Sequence, residues 1–177
     1  MLVANTIGPR RTVIEDRPAP AVEPDKIQVR VHYVAVCGTD VHVWDDSYVT
    51  TLPVIQGHEF SGVVEAIGSD AVTDLRVGQP VCVNPTSTCG QCYPCRIGRY
   101  NCCTSLKCIG CWPGKAGQGV STDAPGGMQE LINMPPGQVF ALPEGLPLEL
   151  AALGEPMGVA TQAVVRGAPT PGEWALV

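Results

Sequence analysis

The feature that most constrains this chain is a run of cysteines: Cys89, Cys92, Cys95 and Cys103 follow the spacing CxxCxxCx7C. That spacing lets one tight loop present three thiolates while a fourth closes a tetrahedron from a few residues further on. Four thiolates with no open position describe a structural zinc site. Iron and sulfur compete for such a pattern, but the bacterial cluster run is CxxCxxCxxxCP, and here neither the third interval nor a following proline fits. Buried cysteines that merely fill a core give no reason for three in succession at that interval. Neighbouring residues point differently, so of Cys102 and Cys103 only one is expected to ligate. Residues 1–11 show no basic segment followed by a continuous apolar stretch, so at this length the nine cysteines read as metal-binding rather than as a disulfide framework. Cys108 and Cys111 form a separate CxxC, but no Cys or His follows to complete a second four-ligand site, so both read as buried thiols in a strand. Cys82, between Val81 and Val83, reads as core filler.

A chain of 177 residues holds one sizeable core and at most a fragment of a second domain. With 45% hydrophobic and 16% charged residues it has the composition of a globular protein. A net charge of -6 with no run of Lys or Arg argues against nucleic acid as a partner. No apolar stretch of ~18 residues is present, so no membrane span is expected and a cytoplasmic protein is. From residue 26 to 36, Ile27, Val29, Val31 and Tyr33 alternate with polar residues, the period of a half-buried strand. Residues 60–67, 80–84, 128–133 and 138–142 are further short β-like runs. The 20 Gly and 17 Pro leave little room for long helices in the first 145 residues, which predicts a mainly β, barrel-like body. After Pro147 the spacing predicts one helix over residues 148–153 and a second from about residue 158 to 166, capped by Gly167. Residues 168–172 read as a linker and 173–177 as the start of a new buried strand. Residues 112–127 read as a long Gly-rich loop.

Cys37 ends the alternating strand in Cys37-Gly38-Thr39-Asp40-Val41-His42, and Gly57-His58-Glu59 follows further along. Residues 57–71, with Gly62 and Gly68, have the look of a zinc signature. Gly98, Arg99 and Tyr100 lead into Cys103, and Gly126-Gly127 precedes Met128-Gln129-Glu130. In this order, and over nearly the whole chain, the motifs resemble the zinc-dependent medium-chain alcohol dehydrogenases, most of all their polyol and threonine dehydrogenase branch.

That resemblance implies a GroES-like barrel with short helices over residues 1–153. Residues 154–177 would be the connecting helix and first strand of a Rossmann domain for NAD or NADP, whose cofactor-binding residues lie outside this chain. It implies two zinc ions, one structural and one catalytic. Cys37 and His58 become ligands of the catalytic zinc. Glu155, in Glu155-Pro156, becomes the third, where the alcohol-oxidising branch has cysteine. Glu59 becomes a fourth ligand or an exchange partner for water. A substrate hydroxyl at such a zinc ionises, and hydride leaves for the nicotinamide. The resemblance gives Thr39 the relay of the proton, His42 its receipt, and Asp40 the orientation of His58. Trp44 lines the substrate pocket or packs as a core aromatic. The implied partners are a small alcohol, polyol or ketone and, in the full-length protein, the copies of a homodimer or homotetramer. Without the cofactor domain the chain is expected to bind two zinc ions and not to turn over. The competing reading is a non-catalytic GroES-like zinc-binding module. A GxGxxG opening a helix just downstream of residue 177 separates the two.

Overall fold

Strand β3 (Ile27–Ala35) pairs along its length with β5 (Glu59–Ile67), and the pairing carries two register shifts. Between Gln28 and Val29, and again between Val31 and Tyr33, one strand carries a residue its partner does not match. A bulge reverses which face the following side chains take. The second shift, at His32 on β3, turns Tyr33, expected inward, to 46% exposed, whereas Gln28, expected outward, is buried with its Nε2 donating to Pro20 O at 2.9 Å. The computed structural model describes residues 1–110, 125–174 and 176.

Besides β3 and β5, the strands are β1 (Leu2–Gly8), β2 (Arg11–Asp16), β4 (Val54–Ile55) and β6 (Pro80–Val83). They continue with β7 (Thr86–Ser87), β8 (Lys107–Cys108), β9 (Leu131–Met134) and β10 (Val139–Ala141). The helices are α1 (Gly38–Trp44), α2 (Tyr93–Arg96), α3 (Leu148–Ala151) and α4 (Gly154–Gly167). An antiparallel sheet of order β10-β6-β5-β3-β9 carries the core, in which Ile27, Val29, Phe60, Val64, Val81, Ile132 and Met134 pack together. A second sheet, β2-β1-β4, joins the first where Val3 bridges Gln129, Ala4 N–H donates to Met128 O and Glu130 N–H donates to Leu2 O. The mainly β, GroES-like architecture expected from the Gly and Pro content and the motifs is the one present.

Two expectations need correction. Helix α4 starts at Gly154, not near residue 158, because Pro156 falls in its first turn, where a backbone N–H has no intrahelical partner to lose. Gly167 is the last helical residue, and the left-handed cap is Ala168, with φ of 44°. The hairpin β1–β2 was not foreseen. Of the expected terminal strand, Glu173 and Trp174 take no strand conformation and Trp174 is fully exposed, while residues 175 and 177 lie outside the described residues. Cys111 and most of the Gly-rich loop, residues 112–124, also lie outside them. No helix among the described residues is long and apolar enough to cross a membrane.

Candidate metal centres

The four cysteines of the spaced run converge. Their sulfurs all lie within 4.8 Å of one another, with Cys92 to Cys95 at 3.4 Å, Cys89 to Cys103 at 3.6 Å and Cys92 to Cys103 at 3.9 Å. A tetrahedron of sulfurs about 2.3 Å from a zinc ion has edges of about 3.8 Å, so the spacing fits that ion. Pro94 starts α2 with Cys92 as its N-cap, which turns Cys92 and Cys95 toward the same point. Backbone amides of Cys89 and Ser105 donate to Cys103 Sγ at 3.3 Å each, and Cys92 N–H donates to Cys89 Sγ at 3.4 Å. Such donors favour thiolates. The backbone amide of Thr104, with help from that of Cys95, lowers the Cys92 thiol to about 6, whereas burial, with the neighbouring sulfurs, pushes Cys95 up to about 12. Cys103 is buried and in the cluster; Cys102 is exposed and outside it. Cys82 is half-buried and its thiol is raised by burial, while Cys108 is half-buried on β8.

The second constellation forms where β3 turns into α1 and the chain enters β5. Cys37 is the N-cap of α1, and Asp40 in the helix's first turn accepts from Cys37 N–H at 3.0 Å through Oδ2. Gly57, with φ of 93°, makes the turn before β5. A Cβ there would stand 2.9 Å from both Met128 Cγ and Val34 Cγ1, so only glycine serves. The turn sends His58 and Glu59 inward, and both are buried. Cys37, His58 and Glu59 each offer a ligand atom within 4.8 Å of the others. Asp40 Oδ1 accepts from Gly57 N–H at 3.2 Å and lies 3.7 Å from His58 Nδ1.

Glu155 lies in the first turn of α4, half-buried and outside the three-residue set. Burial raises its pKa, His58 counteracts this and Glu59 adds to it, so its carboxyl feels both residues. No described ion pair brings a Lys or Arg to Asp40, Glu59 or Glu155. Clustered acids without basic partners are costly to bury ionised, and a bound cation relieves that cost. Thr39 Oγ1 sits 3.7 Å from Cys37 Sγ. His42, exposed one turn along α1, pairs its Nδ1 with Ser47 Oγ at 3.0 Å. Trp44 is 40% exposed at the end of α1, which does not match a packed core aromatic. Sequence reasoning passes over Gln56, buried between Ile55 and Gly57; its signal was a polar residue just before the glycine turn.

Residues 23–144 match the family described as the alcohol dehydrogenase GroES-like domain. The chain is 37% identical over 175 residues to a probable D-xylulose reductase A of Emericella nidulans, covering 96% of this chain and 46% of that protein. It is also 37% identical over 159 residues to an uncharacterized zinc-type alcohol dehydrogenase-like protein of Haemophilus influenzae, covering 89% of this chain and 43% of that one. Galactitol-1-phosphate dehydrogenase from Escherichia coli superposes with a TM-score of 0.84 at 28% identity, over 95% of this chain and 45% of its own. The chain thus spans about half the length of the relatives it matches. It belongs to the zinc-dependent medium-chain alcohol dehydrogenases, as their GroES-like domain.

Proposed function

We propose that this chain is the zinc-binding catalytic domain of an NAD(P)-dependent alcohol or polyol dehydrogenase, interconverting a secondary alcohol and its ketone. The observation that carries the reading is the convergence of Cys37, His58 and Glu59, among acids that no described ion pair joins to a Lys or Arg, in a chain that also holds a closed four-thiol cluster. Zinc bound at the first set would supply Lewis acidity, easing ionisation of a substrate hydroxyl so that its carbon releases hydride to the nicotinamide. Cys37 and His58 would hold that metal, with Glu155 as the third ligand and Glu59 as a fourth or as an exchange partner for water. Asp40 orients His58. Thr39, beside Cys37, passes the substrate proton on, and exposed His42 hands it to solvent. Cys89, Cys92, Cys95 and Cys103 hold the structural ion.

The xylulose reductase and galactitol-1-phosphate dehydrogenase relatives support a polyol substrate. A relative from Escherichia coli CFT073, solved with NADH, has a TM-score of 0.82 and 32% identity over 96% of this chain and 46% of its own, and supports the nicotinamide cofactor. The family resemblance adds a cytoplasmic homodimer or homotetramer as the setting. Metal content tests the assignment. The purified chain should carry two zinc ions by atomic absorption, and Cys37→Ser and His58→Ala one each. Two ions retained in Cys37→Ser would place the second centre elsewhere and sink this reading.

A further inference from the structure

A buried polar relay runs from the β1–β2 hairpin to the Cys37–His58 centre, and its central member is Gln56. The side chain of Gln56 lies in the interior, 3% exposed, as does Thr6 at 1%. Gln56 Nε2 donates to the backbone carbonyl of Asp40 at 2.8 Å. A carbonyl can only accept, so the amide's orientation is settled and Oε1 faces the other way. There it accepts from Thr6 Oγ1 at 2.6 Å. With the Thr6 proton so engaged, the 3.0 Å contact between Thr6 and Thr12 hydroxyls must have Thr12 as donor. Every link therefore points one way, from exposed Thr12 through Thr6 and Gln56 to Asp40.

We infer that Gln56 is a positioning residue for the Cys37–His58 metal centre, acting through Asp40 and held in place by Thr6. Asp40 connects the ligand-bearing segments: its carboxylate accepts from Cys37 N–H and Gly57 N–H and faces His58 Nδ1. Those contacts require the first turn of α1 to stay in register with the chain entering β5. Gln56 is the side chain on that entering segment that ties to the main chain of Asp40. An apolar residue of similar length would fill the space and leave the tie unmade.

The inference rests on the zinc reading above, and the test separates the two. The 177-residue chain is loaded with cobalt at the Cys37–His58 centre while zinc stays at the four-thiol site. Affinity is read by chelator competition, and geometry by the sulfur-to-cobalt charge-transfer and ligand-field bands. Gln56→Glu keeps the acceptor for Thr6 but turns an oxygen toward the Asp40 carbonyl. It should weaken cobalt binding about tenfold or more and shift the ligand-field bands, the size typical of lost outer-shell contacts. Thr6→Val, which keeps the shape and removes the hydroxyl, should weaken binding in the same direction, and Thr6→Ser should restore it. A purely packing role would reverse that order. Zinc at the four-thiol site should be unaffected in all three. If Gln56→Glu does not fold, the Thr6 pair decides. Affinity within twofold and unchanged bands in the folded variants overturn the inference. Cobalt uptake that survives Cys37→Ser overturns the zinc reading, and the inference with it.

Discussion

Gly62 faces the carbonyl of Arg30 across the β3–β5 pairing so closely that a Cβ placed on it would stand 2.0 Å from the oxygen and 3.1 Å from Val31 Cα. The obstruction is the backbone of β3, in the middle of the sheet that carries the core, so no flexible side chain can move aside. Gly62→Ala should cost about 3 kcal/mol in urea unfolding, at the upper end of ordinary point substitutions. Gly137→Ala, with nothing within 4 Å of its Cβ, should stay within about 0.5 kcal/mol. At this scale the cysteines, His58 and the signature glycines were readable, because each does something few other residue types do. Asn5, Thr6 and Gln56 were not, because a buried polar residue looks like any other polar residue until its partner is known. Those partners are far along the chain: Glu15 for Asn5 at 3.0 Å and Gln56 for Thr6.

Among the elements, the strands with apolar alternation were legible to within a few residues, while the first hairpin was hidden by the same buried polar residues. Asn5 and Thr6 are consecutive and both buried, which breaks the period of two over β1. The two register shifts in the β3–β5 pairing leave no mark on β3, whose alternation continues unbroken through them. Helix α3 is short and depends on a tie that sequence does not announce. Ser61, fully buried on β5, donates its hydroxyl to the carbonyl of Leu148, while Ala151 and Ala152 fill the space beneath. Ser61→Ala removes one of that carbonyl's two donors, leaving Ala152 N–H at 3.1 Å as the other, and should cost about 1 kcal/mol in chemical denaturation. Because α3 leads directly into α4, the same change should loosen the approach of Glu155 to His58. Faster amide hydrogen exchange over residues 148–156 would register it, and unchanged exchange there would show that α3 is held by packing alone.

The whole molecule divides into a barrel with an apolar core and a lobe without one. The β body was foreseen from short apolar runs between Gly and Pro, but the joining of its two sheets was not, since the bridge from Val3 to Gln129 links segments with no shared motif. In the lobe, residues 86–108, the buried side chains among the described residues are Cys95 and Cys103. Its β7 and β8 pair only with each other, and none of the clustered core residues comes from it. A unit this small with no hydrophobic core takes its folding free energy from the metal its thiols hold. Gln138 Nε2 ties it to the barrel by donating to Thr86 O at 2.7 Å, and it also donates to Asn84 O, just before the lobe, at 2.9 Å. Removal of that ion by Cys95→Ser should therefore unfold the lobe and spare the barrel, a local rather than global transition. Limited proteolysis should cut within residues 86–108 at least about tenfold faster, the effect of weakening local closure by about 1.4 kcal/mol or more. Amides of β3 and β5 should keep their protection, because the clustered side chains that shield them, from Ile27 to Met134, all come from outside the lobe. Simultaneous loss of protection in β3 and β5 would mean that the metal site and the barrel fold as one cooperative unit, and the division drawn from the core would be wrong.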